Sequence, residues 1–298
     1  MEQWTVALLT DFGAGSEYVG MMKGALLRAL GAAAGAAAVV DLCHTVAPQA
    51  VVSGAWLLRA AQPHFPARTV FLGVVDPGVG TARRAVAVFP ASPGGPVFVG
   101  PDNGLLGPAV AAASAAAAGT GFVVAVLATA GAASRTFHGR DVFAPAAAAA
   151  VRCCGDHGAF AAALGAQGVE GWASADSLVA LDIDSHVVEG TSGDGCHCGV
   201  RGVVVRVDRY GNVVTSAEMP RRVWVGGWDV RCESESGLAL DGLRLCRTYA
   251  EGAPGELLVL VGSSGTLELS VRDGDASQTL ASAQIRLGSK ITFHFSPK

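Results

Sequence analysis

The chain has 298 residues, of which 51% are hydrophobic and 15% charged, and its formal net charge is -4. That length and apolar content give one large or two modest globular domains and exclude a disordered chain. The acidic balance leaves no basic stripe for a nucleic-acid backbone, and the most apolar windows, such as 109–118, are Ala/Gly-rich and too short to span a membrane.

The first half alternates strand-like and helix-like segments. Residues 5–9 form a short apolar strand ending in Thr10 and Asp11, and 18–30 repeats Val19, Met22, Leu26 and Leu30 at helical spacing. Residues 39–42 read as the next strand, and 51–61 as a helix stopped by Pro63. Residues 69–75 are β-branched and apolar and break at Asp76-Pro77-Gly78, a strong turn signal. Strands are expected at 85–89, 97–99 and 121–127, and helices after Leu105 and over 142–152. This βαβ rhythm predicts a three-layer α/β domain with a largely parallel sheet over residues 1–165.

The composition turns to Gly, Ser and Asp over 166–195, which reads as a linker region. From 196 to 298 the pattern is of short strands and turns (203–207, 213–215, 257–261, 267–270 and 291–295), which predicts a smaller all-β barrel domain.

Several polar loops punctuate these elements. Asp11 could accept hydrogen bonds from vicinal hydroxyls or cap the helix that follows. The Asp76-Pro77-Gly78-Val79-Gly80-Thr81 segment invites comparison with a phosphate loop but lacks the Gly-Lys-Ser/Thr ending, so it also reads as a plain turn beside Arg83 and Arg84. Asp102-Asn103 reads as a helix cap. His138 stands in a Gly-containing turn, Thr136-Phe137-His138-Gly139-Arg140-Asp141, ahead of an Ala-rich helix. Asp208-Arg209-Tyr210-Gly211-Asn212 and Gly262-Ser263-Ser264-Gly265 each fit a hairpin turn or a ligand-facing loop. Seven irregularly spaced cysteines indicate reduced thiols and a cytoplasmic location. Cys153-Cys154 and Cys196-His197-Cys198 lack the paired CxxC spacing of a zinc site, so no metal is expected.

Taken together, Thr10-Asp11-Phe12-Gly13, Tyr18 to Gly24, Val75 to Thr81, Gly100 to Gly104, Thr136 to Asp141 and Asp208 to Asn212 resemble, in this order, the S-adenosylmethionine (SAM) hydroxide adenosyltransferases, or SAM hydrolases, relatives of the SAM-dependent fluorinase and chlorinase. The resemblance runs from about residue 5 to beyond residue 270. It implies a homotrimer in which SAM, as substrate and with no separate cofactor, lies at a subunit interface between the N-domain of one copy and the C-domain of its neighbour.

Residue by residue, the catalytic triad of the family falls on Asp76, Arg83 and His138, and its ribose-binding Asp on Asp11. Phe137 lines the substrate, Tyr210 and Asn212 hold the nucleoside, and Asp208 binds the methionine portion. Tyr249 is a further adenine contact and Ser263 faces ligand, although Gly262 stands where the family usually carries Asn. The halogenating relatives carry Tyr in place of Asp76 and Tyr-Ser in place of His138-Gly139. The carboxylate of Asp76 would repel a halide, so water is the expected nucleophile. The resemblance therefore implies SN2 attack of water or hydroxide at the ribose C5′ carbon, giving adenosine and L-methionine. A sensor that binds SAM or adenosine without turnover and a SAM-dependent halogenase are the alternatives.

Overall fold

The computed structural model describes residues 3–119, 121–192, 195–221, 223, 228–237, 239–281 and 285–297. The chain divides into two compact units, Met1–Leu181 and Asp182–Lys298.

In the first unit the strands are β1 (Trp4–Thr10), β2 (Ala37–Cys43), β3 (Thr69–Val74), β4 (Ala85–Pro90), β5 (Val97–Pro101), β6 (Phe122–Leu127) and β7 (Val169–Ser174). The helices are α1 (Glu17–Leu30), α2 (Val51–Ala61), α3 (Gly107–Ala116), α4 (Ala144–Arg152) and α5 (His157–Leu164). The seven strands form one sheet in the order β2-β1-β3-β5-β4-β6-β7. It is parallel from β2 to β5, with α1 crossing from β1 to β2, α2 from β2 to β3, and β4 lying within the connection from β3 to β5; it is antiparallel from β5 to β7. The reversal has a local cause. Only residues 91–96 join β4 to β5, a link too short for a parallel crossover, so the pair closes as a hairpin.

Alternation along the strands splits the core in two. Val6 and Leu8 of β1, with Val70 and Leu72 of β3, pack among α1, α4 and α5. Ala7 and Leu9, with Phe71 of β3 and Phe98 of β5, pack on the opposite face against α2 and α3. Period-two strands buried on both faces are what a three-layer α/β sandwich requires. The helix α1 begins at Ser16, whose side chain accepts the Tyr18 N–H, and ends at Gly31 in a positive-φ conformation.

The second unit carries β8 (His186–Ser192), β9 (Gly195–Val207), β10 (Val213–Glu218), β11 (Trp228–Ser234), β12 (Ala239–Cys246), β13 (Leu257–Val261), β14 (Thr266–Val271), the short helix α6 (Ala276–Thr279) and β15 (Lys290–Pro297). The order β10-β14-β13-β12-β11-β15-β9 closes through a further pairing of β9 with β10, giving a seven-stranded barrel with β8 added outside along β9. The thirteen-residue β9 makes the closure possible: residues 198–203 pair with β15, and Val204, Arg206 and Val207 pair with β10. The barrel interior is filled by Val200, Val204, Val230, Leu267, Leu269, Phe293 and Phe295.

At Gly202, where β9 passes from one neighbour to the other, a Cβ would lie 2.4 Å from the backbone nitrogen of Ala217. Backbone cannot yield as a flexible side chain would, so glycine is required there. Gly202→Ala is expected to cost about 1–3 kcal/mol of unfolding free energy, the range of an overpacked core, measured by urea denaturation of the barrel signal.

Candidate active site

The chain leaves β1 for β2 on one side and returns to β3 on the other, so the carboxyl ends of β1 and β3 flank a switch point of the sheet. Open α/β sheets place ligands at such a crevice. Thr10 and Asp11 follow from β1, and Val75 and Asp76 from β3.

Asp76, Arg83 and His138 come together there. The guanidinium of Arg83 grips the Asp76 carboxylate with both prongs: Nε donates to Oδ1 at 2.8 Å, and Nη2 donates to Oδ2. The same Nη2 lies 2.9 Å from Nδ1 of His138. All three groups are buried, with side-chain exposures of 9% for Arg83 and 5% for Asp76 and a residue exposure of 4% for His138. Arginine has donors only, so Nδ1 of His138 must present its lone pair, which puts the ring proton on Nε2. Burial, and after it the Arg83 charge, hold the imidazole below its ordinary value of 6.5, against the opposing pull of Asp76 and Asp141. The third guanidinium nitrogen, Nη1, is buried with no partner among the described residues.

Local structure explains the convergence. The turn after β3 is closed by Val79 N–H to Asp76 C=O at 3.2 Å and by the Thr81 hydroxyl to Gly78 C=O at 2.6 Å. Gly80 has φ +76°, and a Cβ on it would fall 2.6 Å from the Arg135 carbonyl oxygen, so glycine lets this turn lie against the loop that leads into His138. Asn103 supports the turn from β5 by donating to Val75 C=O at 2.9 Å. His138 opens a π-helical turn, Gly139–Phe143, that runs directly into α4. Single π turns of this kind recur at functional sites. The loop is further fixed by Asp141, which accepts from Ser134 N–H at 2.9 Å and is paired with Arg140. The Arg140 hydrogen bond holds the Asp141 carboxyl below its ordinary range.

Phe137 immediately precedes His138, and Asp11 follows the end of β1, the strand paired with β3. Phe12, Tyr18 and Phe137 form an edge-to-face cluster with ring centroids 5.1–6.2 Å apart, and the Arg140 guanidinium lies 4.9 Å over Phe137. Asp11 is not a helix cap, since Ser16 fills that position. One of its oxygens accepts the backbone N–H of Gln49, a positive-φ residue, at 2.8 Å. Asp102 and Asn103 are not a cap either. The helix α3 starts at Gly107 with no side-chain cap, and Asp102 binds Arg84 Nε and Val179 N–H, each at 2.8 Å. The charge of Arg84, hydrogen-bonded to it through the backbone, draws the carboxylate away from the helix.

In the barrel, the segment from Asp208 to Asn212 is a hairpin turn. The Asp208 carboxylate collects Tyr210 N–H at 2.8 Å, Asn212 N–H at 2.9 Å and Asn212 Nδ2 at 2.9 Å. Tyr210 itself is 77% exposed on this hydrogen-bonded turn. The hydroxyl of Tyr249 donates to Oε1 of Glu268 at 2.6 Å. Burial first, then the Glu268 and Asp208 carboxylates, push its phenol above its ordinary value. Ser263 lies in the turn between β13 and β14. A side chain at Gly262 would meet the Glu268 carboxylate at 2.5 Å, so Glu268 fills the space that an Asn there would claim. Sequence reasoning passed over Glu268; its signal is a single charge between Leu267 and Leu269 in a buried strand.

Among the described residues no three His, Cys, Asp or Glu side chains are grouped to hold a metal ion, and no helix is long and apolar enough to cross a membrane. The side chains of Cys196 and His197 lie outside the described residues. Burial pushes the Cys153 thiol up to about 11.

A switch-point crevice in an α/β unit, holding a buried Asp-Arg-His group and followed by a β-barrel, defines a two-domain enzyme class. Residues 6–156 match the SAM hydroxide adenosyltransferase N-terminal domain and residues 202–292 the C-terminal domain of the same family. The chain belongs to the SAM hydroxide adenosyltransferase family. It is 35% identical over 293 residues to an (R)-S-adenosyl-L-methionine hydrolase of Thermus thermophilus, covering 92% of this chain and 94% of that one. It is 34% identical over 286 residues to the protein of the same name from Salinispora tropica, covering 92% and 93%. A crystal structure of an uncharacterised conserved protein from Thermotoga maritima superimposes with a TM-score of 0.69 at 30% identity, over 97% of this chain and 99% of that one.

The hydrogen bond from Arg83 to His138 makes a spectroscopic prediction. Nitrogen-15 NMR of the protein should show His138 unprotonated at Nδ1 and titrating below pH 6.5; a midpoint above 6.5 would contradict the arrangement.

Proposed function

We propose that this protein hydrolyses S-adenosyl-L-methionine to adenosine and L-methionine by SN2 attack of a water-derived oxygen at the ribose C5′ carbon. The observation that carries the reading is the orphaned Nη1 of Arg83: a buried donor beside a carboxylate and an imidazole, with no partner among the described residues. Its desolvation is costly unless an oxygen sits on it, and a water or hydroxide meets that need. The relatives named as SAM hydrolases support the choice of substrate.

The sulfonium is already a good leaving group, so the difficulty lies with the nucleophile. Producing free hydroxide at pH 7 from water of pKa 15.7 costs roughly 12 kcal/mol. A hydroxide about 4 Å from the sulfonium recovers roughly 4 kcal/mol at an effective dielectric of 20. The Arg83 charge is largely balanced by the Asp76 carboxylate paired with it, so most of the cost is avoided only if the proton leaves as the C–O bond forms. His138 accepts Arg83 at Nδ1 and carries its proton on Nε2, so it orients the guanidinium and can donate to the nucleophilic oxygen. Asp76, whose oxygens keep lone pairs beyond the Arg83 fork, takes the proton. Asp11 holds the ribose hydroxyls with the carboxylate oxygen that Gln49 leaves open, and Phe137 walls the pocket.

The barrel supplies the nucleoside and methionine contacts from Asp208, Tyr210, Asn212, Tyr249 and Ser263, with the site completed at the subunit interface of a cytoplasmic homotrimer. The exposed Tyr210 on its hydrogen-bonded turn supports a partner surface there. SAM enters as substrate, with no separate cofactor, and the (R) form in the names of the relatives is the epimer to assay first.

Arg83→Ala and Asp76→Asn are each expected to lower kcat about 10²–10³-fold while changing SAM affinity a few-fold, as for loss of a transition-state donor or a proton acceptor. Near-normal turnover in either variant would remove that residue from the mechanism. In water enriched with oxygen-18, mass spectrometry should find the label in the 5′-hydroxyl of adenosine. Label in homoserine alongside methylthioadenosine would instead place the attack on the methionine side chain.

A further inference from the structure

A second chain of polar groups runs from the end of β1, buried at Thr10 and His44 and partly exposed at Asp41 and Lys23. Lys23 of α1 donates to Asp41 Oδ2 at 2.6 Å, and Asp41 Oδ1 lies 3.0 Å from Nε2 of His44. Nδ1 of His44 lies 2.9 Å from the hydroxyl of Thr10, and that hydroxyl accepts the backbone N–H of Phe12 at 3.2 Å. The carbonyl of His44 accepts Gly13 N–H at 2.8 Å. Thr10 is fully buried and His44 is 6% exposed.

The proton positions follow by elimination. Thr10 already accepts from Phe12, and its own proton has no acceptor among the described residues other than His44 Nδ1. Nδ1 is therefore the acceptor and Nε2 carries the proton, which goes to Asp41. Burial raises the Asp41 carboxyl, but the hydrogen bonds from Lys23 and His44 outweigh it and hold the group below its ordinary range, so it is ionised to receive that proton. Every donor in the series thus has one acceptor, from Phe12 N–H to Thr10, from Thr10 to His44 and from His44 to Asp41.

We infer that His44 is a positioning residue for substrate binding: through Thr10 on one side and its own carbonyl on the other, it fixes the backbone of residues 10–13 and so aims the Asp11 carboxylate. Both amides that follow Asp11, those of Phe12 and Gly13, end on this assembly. Asp11 has no comparable internal restraint, because its one bond runs to the Gln49 amide in the segment that His44 itself begins. Loss of the imidazole leaves a buried hydroxyl without its acceptor and lets the ribose-facing loop rotate. The inference rests on the assignment of Asp11 to the ribose.

The test compares Thr10→Val, His44→Ala, His44→Asn and Asp11→Ala in the full-length protein, reading kcat, KM for SAM, the melting temperature, and amide hydrogen exchange at Phe12 and Gly13. Thr10→Val and His44→Ala should each raise KM about tenfold with kcat changed less than threefold, and should speed exchange at Phe12. The double variant should be no worse than either single one, since both cut the same path. His44→Asn, which keeps an acceptor near the place of Nδ1, should recover most of the affinity. A lower melting temperature with KM and exchange unchanged would overturn the inference, as would a fall in kcat alone. If exchange accelerates in His44→Ala but KM is indifferent to both His44→Ala and Asp11→Ala, the ribose assignment of Asp11 fails and the restraint on its loop stands.

Discussion

One buried guanidinium holds the candidate site together. Arg83 is the meeting point of a carboxylate delivered by the end of β3 and an imidazole delivered by the turn into α4, and neither would sit stably in a desolvated crevice alone. An isolated buried carboxylate carries a large solvation penalty, and a paired one is tolerated when its lone pairs are satisfied. Binding at Nε and Nη2 engages three of the five N–H donors of Arg83, and the two on Nη1 are buried without a hydrogen-bond partner among the described residues. The charge that stabilises the fold locally is thus the one that would stabilise a growing negative oxygen.

The surroundings of that ion pair come from quite different parts of the chain, and each is set by backbone detail. Gly80 lets two loops touch, Asn103 props the first, Asp141 anchors the second, and the π turn resets the phase of the helix so that His138 faces inward while the alanines behind it stay buried. A site assembled this way is preorganised, with its dipoles oriented before substrate arrives.

Much of this was legible in the residues. Helical spacing located α1 within one residue, from the recurrence of Val19, Met22, Leu26 and Leu30, and α2 at residues 51–61, where Pro63 stops it. The loops bearing Asp76, His138 and Asp208 were recognisable because glycine, proline and ionisable residues cluster after apolar strands. What local reasoning misjudged were long-range partners. The caps expected of Asp11 and Asp102 were taken from them by Gln49 and by Arg84 with Val179, contacts between residues 38, 18 and 77 positions apart that no local pattern encodes. The helix α5 and the strands β11 and β12 were not anticipated: α5 is short and nearly uniform in hydrophobicity, and the two strands carry several exposed charges. The antiparallel pairing of β4 with β5 follows from the length of one connection rather than from the character of its strands.

The placement of β15 has an implication for biosynthesis. This strand sits between β11 and β9, so those two present bare edges until β15 itself has been made. The α/β unit is a compact one that ends at residue 181, and such units can consolidate while translation proceeds. The barrel must wait, and in that interval its open edges are the part of the nascent molecule most exposed to mispairing with other chains.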